Sequence, residues 1–404
     1  MPEGILEGIR VIEWGHFVSG PWTARLLGDL GADVIKVEPP GSGDKARQAG
    51  PFPHDLPHPE TSGMYLFVNC NKRGVTLDLS MAKGRQIFRQ LVEGADILVE
   101  NHRPSEVEAL DLTYDHLKAI NPDLLMVSIS PFGQTGPYRD WVGSELVLFN
   151  MGGVAYETPV GGVTDRETQP PLKGPGYQAY FVSGWLAATA ALVGLFQRQV
   201  AGGGQLIDIS EHEAIASMLR PNVARVSYEE EITVRQSGGA IRYKPCKDGY
   251  FIGLGMGQND DAWRRLCALM DNPEWTKQEI FATQELRREH QQEGEALIVE
   301  WMKDYTKDEL FEMTQRLGIG AFPFNTVADV HESSQLAARS FFKEVEHPIA
   351  GRLSYPGPAY SFTDQQPRIH RRAPLLGEHN GEIYGGELGY SAEELAQMRR
   401  SGVI

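Results

Sequence analysis

Several short stretches carry residues that could hold a small anionic ligand or run acyl chemistry. Gly15-His16-Phe17-Val18-Ser19-Gly20-Pro21 joins an apolar strand to a helix, so backbone N–H groups and the positive helix end can face a phosphate or nucleotide. The GxGxxG pattern is missing, so Glu38 at the end of the next strand is weak support for a nicotinamide dinucleotide, and His16 reads equally as a capped loop residue. Asn69-Cys70-Asn71-Lys72-Arg73-Gly74 sets two amides and two adjacent cations before a strand, where an acidic cofactor could dock; a solvated polar turn explains them equally well. Gly253, Gly255 and Gly257, and the run Gly202-Gly203-Gly204-Gln205, read as turns. Glu211-His212-Glu213 lacks a second histidine one helical turn away and reads as a solvated helix start, not a metal motif. No Gly-x-Ser-x-Gly elbow is present, which sets serine hydrolases aside. Cys70, Cys246 and Cys267, odd in number and widely spaced, suit reduced core thiols, and no metal is expected.

These residues need a scaffold, and the hydrophobic pattern supplies one. Ile9, Val11 and Ile12 predict a strand, Ala24, Leu26, Leu27 and Leu30 a helix ending at Gly31, and Val34, Ile35 and Val37 a second strand ending at Glu38: a βαβ unit. Further strands at Ile97–Val99, Leu124–Ile129 and Leu206–Ile209 alternate with helices at Met81–Leu91 and Phe181–Phe196, which predicts a doubly wound parallel sheet. The pattern turns polar from Arg225 to Gly238, a new unit is expected to begin near Ala240, and Asp261–Leu317 reads as mostly helical; beyond Thr326, five prolines predict short extended pieces wrapping back over other elements. The 404 residues carry 38 basic and 54 acidic side chains, a formal charge of −16, which disfavours a nucleic-acid partner. That length allows two or three domains, and apolar content of 41% is enough to build large cores. With no uninterrupted apolar run of about 18 residues and no signal-like start at Met1-Pro2-Glu3-Gly4, a cytoplasmic protein without a membrane partner is expected.

Four ordered motifs carry a resemblance. Gly31-Ala32-Asp33-Val34-Ile35-Lys36-Val37-Glu38-Pro39-Pro40-Gly41-Ser42-Gly43-Asp44, Asn69–Gly74, Val99-Glu100-Asn101 and Ala373-Pro374-Leu375-Leu376-Gly377-Glu378-His379 together resemble the family III CoA-transferases, which include formyl-CoA, carnitine and bile-acid CoA-transferases and the 2-methylacyl-CoA racemases. The resemblance runs from Leu6 to Ile404. It implies an α/β fold: a Rossmann-like large domain with a doubly wound parallel sheet, built from residues 1–225 and a returning segment 331–404, an inserted small α+β domain at 226–330, and two such chains interlocked as rings. It implies coenzyme A or an acyl-CoA as substrate and places CoA-lining positions on Phe17, Val18, Leu77, Asn101, His102 and Leu110. A family arginine that pairs with CoA phosphate falls on Ala109, with Arg103 nearby as a substitute.

The departure lies in Gly174-Pro175-Gly176-Tyr177-Gln178-Ala179-Tyr180-Phe181-Val182-Ser183-Gly184. The family's transferases attack the thioester with an aspartate four residues before a helical glycine. That glycine matches Gly184, and Tyr180 stands at the aspartate position. A phenol, neutral at pH 7, cannot form the mixed anhydride of the two half-reactions. The racemase histidine falls near Gln134-Thr135-Gly136, where none is found, and the racemase aspartate falls on Glu145, otherwise readable as a helix-start carboxylate. Three readings follow. The first is the non-nucleophilic subunit of a heteromeric CoA-transferase, partnered by a homologue bearing the aspartate, as in the branch acting on succinyl-CoA and (R)-benzylsuccinate in anaerobic hydrocarbon breakdown. The second is a self-sufficient homodimeric transferase or racemase using another carboxylate, with Glu145 the first candidate; the third is a non-catalytic acyl-CoA-binding protein.

Overall fold

The computed structural model describes all residues except 1–3, 159–162, 164, 166, 233–234, 236–242 and 257–258. The domain boundary expected near Ala240, the Gly257 turn and the opening Met1-Pro2-Glu3 therefore lie outside the described residues. The chain divides into two compact units, one formed by Met1–Thr158, Pro171–Thr233 and Ser340–Ile404, the other by Pro159–Pro170 and Val234–Arg339.

The larger unit is built in the order β1 (Arg10–Trp14), α1 (Ser19–Asp29), β2 (Asp33–Glu38), α2 (Gly63–Val68), β3 (Lys72–Thr76), α3 (Ala82–Glu93), β4 (Ile97–Glu100), α4 (Pro104–Ala109), α5 (Tyr114–Lys118), β5 (Leu125–Ser130), α6 (Glu145–Met151), α7 (Val154–Glu157), α8 (Gln178–Ala201), β6 (Gln205–Ser210) and α9 (Glu211–Ala216). Its six strands lie in the order β3-β2-β1-β4-β5-β6, all parallel. This is the doubly wound arrangement that the alternating pattern predicts, with the order reversing between β1 and β4.

Alternation along each strand feeds two cores. Ile12, Ile35, Val75, Leu98 and Met126 pack on one side with Ile87, Phe88, Leu91 and Val92 of α3. Val11, Val34, Ile97, Val99, Leu125 and Val127 pack on the other with Ala24 and Leu27 of α1 and Ala187, Ala191 and Leu195 of α8. Both faces are covered, so the central strands β4 and β5 read as near-continuous apolar runs. The 24-residue α8 is long and apolar enough to cross a membrane by composition, yet its alanine face is buried in this core. At Gly184 a Cβ would meet Trp22 Cδ1 at 2.8 Å and the Ser19 carbonyl at 3.0 Å, so glycine permits α8 to lie this close to α1.

Two expectations give way. Lys72 and Arg73 lie inside β3, not in a polar turn ahead of it, because buried partners neutralise them. Lys72 Nζ meets Glu13 Oε2 and the Pro21 carbonyl, both at 2.7 Å, and Asn69 Oδ1 at 2.8 Å. Arg73 binds Asp33, Glu382 and Glu387. The tail is also more than extended pieces. After a hairpin of Phe342–His347 with Gly351–Pro356, it forms helical turns at Gly381–Glu387 and a helix at Ala392–Arg400, whose Leu395 and Met398 complete the α3-side core. Ser391 and Glu394 cap that helix reciprocally.

In the smaller unit, Tyr243–Cys246, Gly249–Ile252 and Phe322–Pro323 form an antiparallel sheet. Helices at Asp260–Leu269, Gln291–Met302 and Lys307–Arg316 supply Trp263, Leu266, Ile298, Met302 and Leu310 to its own core. Gly253 holds φ +95°, as a turn after a strand requires.

Candidate functional site

The loops after β1, β4 and β5 and the start of α9 meet at the carboxyl ends of the parallel strands, beside the β1/β4 reversal. A doubly wound sheet leaves its ligand crevice there, because the flanking loops run to opposite sides. Two cavities of about 450 Å³ each open at this edge and share His16, Lys45 and Glu106. The first is walled by Phe17, Val18, Ser19, Asn101, Arg103, Pro131, Tyr180 and Glu211 among others, the second by Trp14, Glu38, Leu77, His102 and Leu110 among others. The six positions taken from the resemblance thus divide between neighbouring cavities: Phe17, Val18 and Asn101 in one, and Leu77, His102 and Leu110 in the other.

A buried ionic cluster fixes the loop after β1. Lys36 Nζ, from β2, sits 2.7 Å from Glu13 Oε1 and 2.7 Å from Asp44 Oδ2. Burial works against its charge, and Asp44 and Glu13 more than offset that, so its pKa lies above the ordinary lysine range. Lys72 pairs among the described residues with Glu13 alone, and burial lowers its pKa to about 8. Asp44 Oδ1 accepts from the Phe17 N–H at 2.8 Å, which holds Phe17 at φ 66°, a left-handed conformation that a bulky residue adopts only under constraint. Glu38 is bound by Arg47 through Nε at 2.7 Å and Nη2 at 2.9 Å, and its other neighbours are Tyr65 and the Asp44 N–H. It is a structural partner, and its resemblance to a ribose-binding acid ends there.

Asn101 clamps the same loop. Its Oδ1 accepts from the His16 N–H at 2.8 Å, and its Nδ2 donates to the His16 carbonyl at 2.9 Å and to Ser19 Oγ at 3.0 Å. His102 stacks on Trp14 with ring centroids 4.0 Å apart. Burial, with His102 and Lys45 nearby, lowers the His16 pKa to about 3, so His16 is neutral at physiological pH. Arg103 is engaged by Glu106 at 2.8 Å. Lys45, exposed, forms no ion pair among the described residues; its ammonium lies 3.5 Å from His16 Nε2.

Tyr180 stands in the first turn of α8 with its ring edge-on to Phe17. Burial first, then the charge of Glu211, lifts its pKa far above that of a free phenol, so it is a hydrogen-bond donor and not an oxyanion. Glu145 does not line the cavity. Its carboxylate accepts from the Ala179 and Tyr180 N–H groups at 3.2 Å each and meets Lys173 Nζ at 3.3 Å, which caps α8 from outside.

Glu211, expected on a solvated helix start, is instead buried, 4% exposed, in the wall beside Tyr180 and Ser19. The strand end of β6 points it at the crevice, where its only signal in sequence was a position directly after a strand. Among the described residues no three His, Cys, Asp or Glu side chains gather as a metal site would require.

The model of CoA-transferase family III matches residues 6–380 of the chain. Among curated relatives, the succinyl-CoA:(R)-benzylsuccinate CoA-transferase subunit BbsE of Thauera aromatica is 34% identical over 398 residues, 95% of each chain. The succinyl-CoA–D-citramalate CoA-transferase of Chloroflexus aurantiacus is 33% identical, covering 100% of this chain and 99% of its own. The alpha subunit of succinyl-CoA–L-malate CoA-transferase from Chloroflexus aurantiacus is 30% identical over 99% of this chain and 92% of its own. Among solved structures, a CAIB/BAIF family protein from Brucella suis aligns with a TM-score of 0.82 at 30% identity, over 95% of this chain and 99% of that one.

Proposed function

Because the chain belongs to CoA-transferase family III, we propose that it is the non-nucleophilic subunit of a heteromeric transferase that moves CoA from succinyl-CoA to another carboxylic acid in the cytoplasm. One observation carries this reading: Tyr180, a protonated phenol, occupies the cavity wall at the position where the resemblance places the aspartyl nucleophile. A carboxylate attacks a thioester because the anhydride it forms can pass CoA back; a phenol kept protonated by burial offers no such intermediate. The partner subunit would supply the aspartate. Relatives named as subunits, BbsE and the malate alpha chain, support a heteromer, and benzylsuccinate is the acceptor we place first. Phe17, Val18, Leu77, Asn101, His102 and Leu110 are proposed to line the CoA site, which these two adjoining cavities are large enough to serve.

The self-sufficient alternative on Glu145 has less support, since two backbone N–H groups and Lys173 already occupy that carboxylate. The deciding experiment recovers the tagged chain from its own host and weighs the intact complex by native mass spectrometry. A homologous chain in fixed ratio, bearing the aspartate, is the expected result; CoA transfer at an enzymatic rate by this chain alone would overturn the proposal.

A further inference from the structure

Glu211 has no part in the reading above, and its surroundings point to one. It is the first residue of α9, directly beyond β6, and its carboxyl is buried in the wall of the cavity that holds Tyr180. No lysine, arginine or histidine forms an ion pair with it among the described residues. Ser19 is its hydrogen-bond partner, the hydroxyl donating to the carboxylate and partly opposing the effect of burial, while the Ser19 oxygen accepts from Asn101 Nδ2 at 3.0 Å. The other charged or titratable groups around it are Glu145, held at the α8 N-terminus by Lys173, the phenol of Tyr180, and, along the same cavity, neutral His16, Arg103 paired with Glu106, and exposed Lys45. A buried carboxyl with an acidic neighbour and no cation neutralises itself by keeping its proton. Burial, and then Glu145, raise the Glu211 pKa to about 7.

Below the Glu211 pKa the cavity therefore offers a carboxylic acid and a phenol as donors, and Lys45 is a lining cation without an ion pair among the described residues. A neutral thioester needs neither the cation nor the shared proton. A carboxylate uses both: it accepts from the acid in a charge-assisted bond and is balanced by the ammonium.

We propose that Glu211 is the specificity residue of this cavity, which recognises a ligand carboxylate by sharing its proton with it. The inference rests on the reading that this chain's site holds its ligand without attacking it, and it supplies that site with a ligand class. The carboxylate is either that of a free acid or the distal carboxylate of a dicarboxylic acid carried as its CoA thioester. Above the Glu211 pKa, binding takes one proton from solvent: an ionised Glu211, a proton and the ligand carboxylate become one hydrogen-bonded acid–carboxylate pair.

Calorimetric titration of the full-length chain with succinyl-CoA, succinate and butyryl-CoA, in buffers of different ionisation enthalpy, tests this. Succinyl-CoA at pH 8 should bind with uptake of close to one proton, its affinity falling about fivefold from pH 7 to pH 8. Butyryl-CoA, which lacks the free carboxylate, should bind without uptake. Uptake with succinate as well assigns the free acid; uptake with succinyl-CoA only assigns the thioester's distal end. Glu211→Gln, which keeps a donor but cannot titrate, should bind succinyl-CoA within about threefold of the unaltered chain at pH 6 and lose the uptake. Equal uptake with butyryl-CoA, uptake that survives in Glu211→Gln, or no carboxylate binding at all would overturn the inference. Turnover by the chain alone would instead sink the subunit reading and leave the proton count standing, so the two failures are distinguishable.

Discussion

The chemistry turns on which side chains in one cavity can become anions. Tyr180 cannot at physiological pH, since burial disfavours a phenolate and ionisation of Glu211 as pH rises disfavours it further. Replacing it by aspartate should therefore create a function. In Tyr180→Asp the new carboxylate can attack the thioester carbon of succinyl-CoA, expel CoA as its thiolate and leave a mixed anhydride, and return of the thiolate to the aspartyl carbonyl then breaks the anhydride, releases succinate and gives an aspartyl-CoA thioester. Intact mass measurement after incubation with succinyl-CoA should show an adduct on Tyr180→Asp and none on the unaltered chain; equal labelling of both would mean that another residue is the nucleophile. Glu145 makes a contrasting case. Its carboxylate is occupied by the Ala179 and Tyr180 N–H groups, so Glu145→Gln should cost about 1 kcal/mol of stability in a urea titration and leave CoA transfer by the assembled enzyme within about threefold. Loss of transfer with the fold intact would return Glu145 to the centre of the mechanism.

At the level of elements, the crevice is held open by charges that cannot leave the fold. Glu13 on β1 accepts from Lys36 on β2 and Lys72 on β3, each at 2.7 Å, so one carboxylate ties three adjacent strands together at the end that carries the loop to Phe17. Removing it leaves two buried ammonium groups with one carboxylate, Asp44, between them. Breaking a buried ion pair from one side costs about 3–5 kcal/mol, and Glu13→Gln should lower the urea midpoint accordingly; a change below about 1 kcal/mol would mean that water enters the cluster on mutation. The elements themselves were legible in the sequence. Five of the six parallel strands and the helices over them follow from short apolar runs set between helical periods, because a sheet covered on both faces favours apolar residues on both sides of each strand. β3 was hidden for the opposite reason: Lys72, Arg73 and Gly74 read as polar, and only partners far along the chain, Glu382 and Glu387 for Arg73, show that a strand can bury them. The returning tail was obscured by its prolines, although the Ser391–Glu394 capping box was present to be read.

Across the whole molecule, the large fold and its crevice were readable, and the inner wall of the crevice was not. Glu211 sat in a string of acidic and histidine residues that looks solvated, and nothing local distinguishes a buried glutamate from an exposed one when its neighbours come from α1 and α8. The reverse holds for α8, whose apolar character fits a core helix throughout. One face does lie in the core, yet Trp185, Leu186, Val193, Phe196 and Val200 are exposed on this chain. At 100° per residue those five fall within an arc of about 100°, a single stripe on the helix whose first turn carries Tyr180. A contiguous apolar stripe on a chain of charge −16 marks a surface meant to be covered, and a homologous subunit is the occupant we propose for it. Val193→Glu and Phe196→Glu place charges on the stripe without touching Ala187, Ala191 or Leu195 on the buried side. Each should shift the assembled enzyme toward single chains in native mass spectrometry and lower CoA transfer at least tenfold, while thermal melting of the isolated chain changes little. Assembly that survives both substitutions would move the interface elsewhere and leave the stripe without its proposed partner.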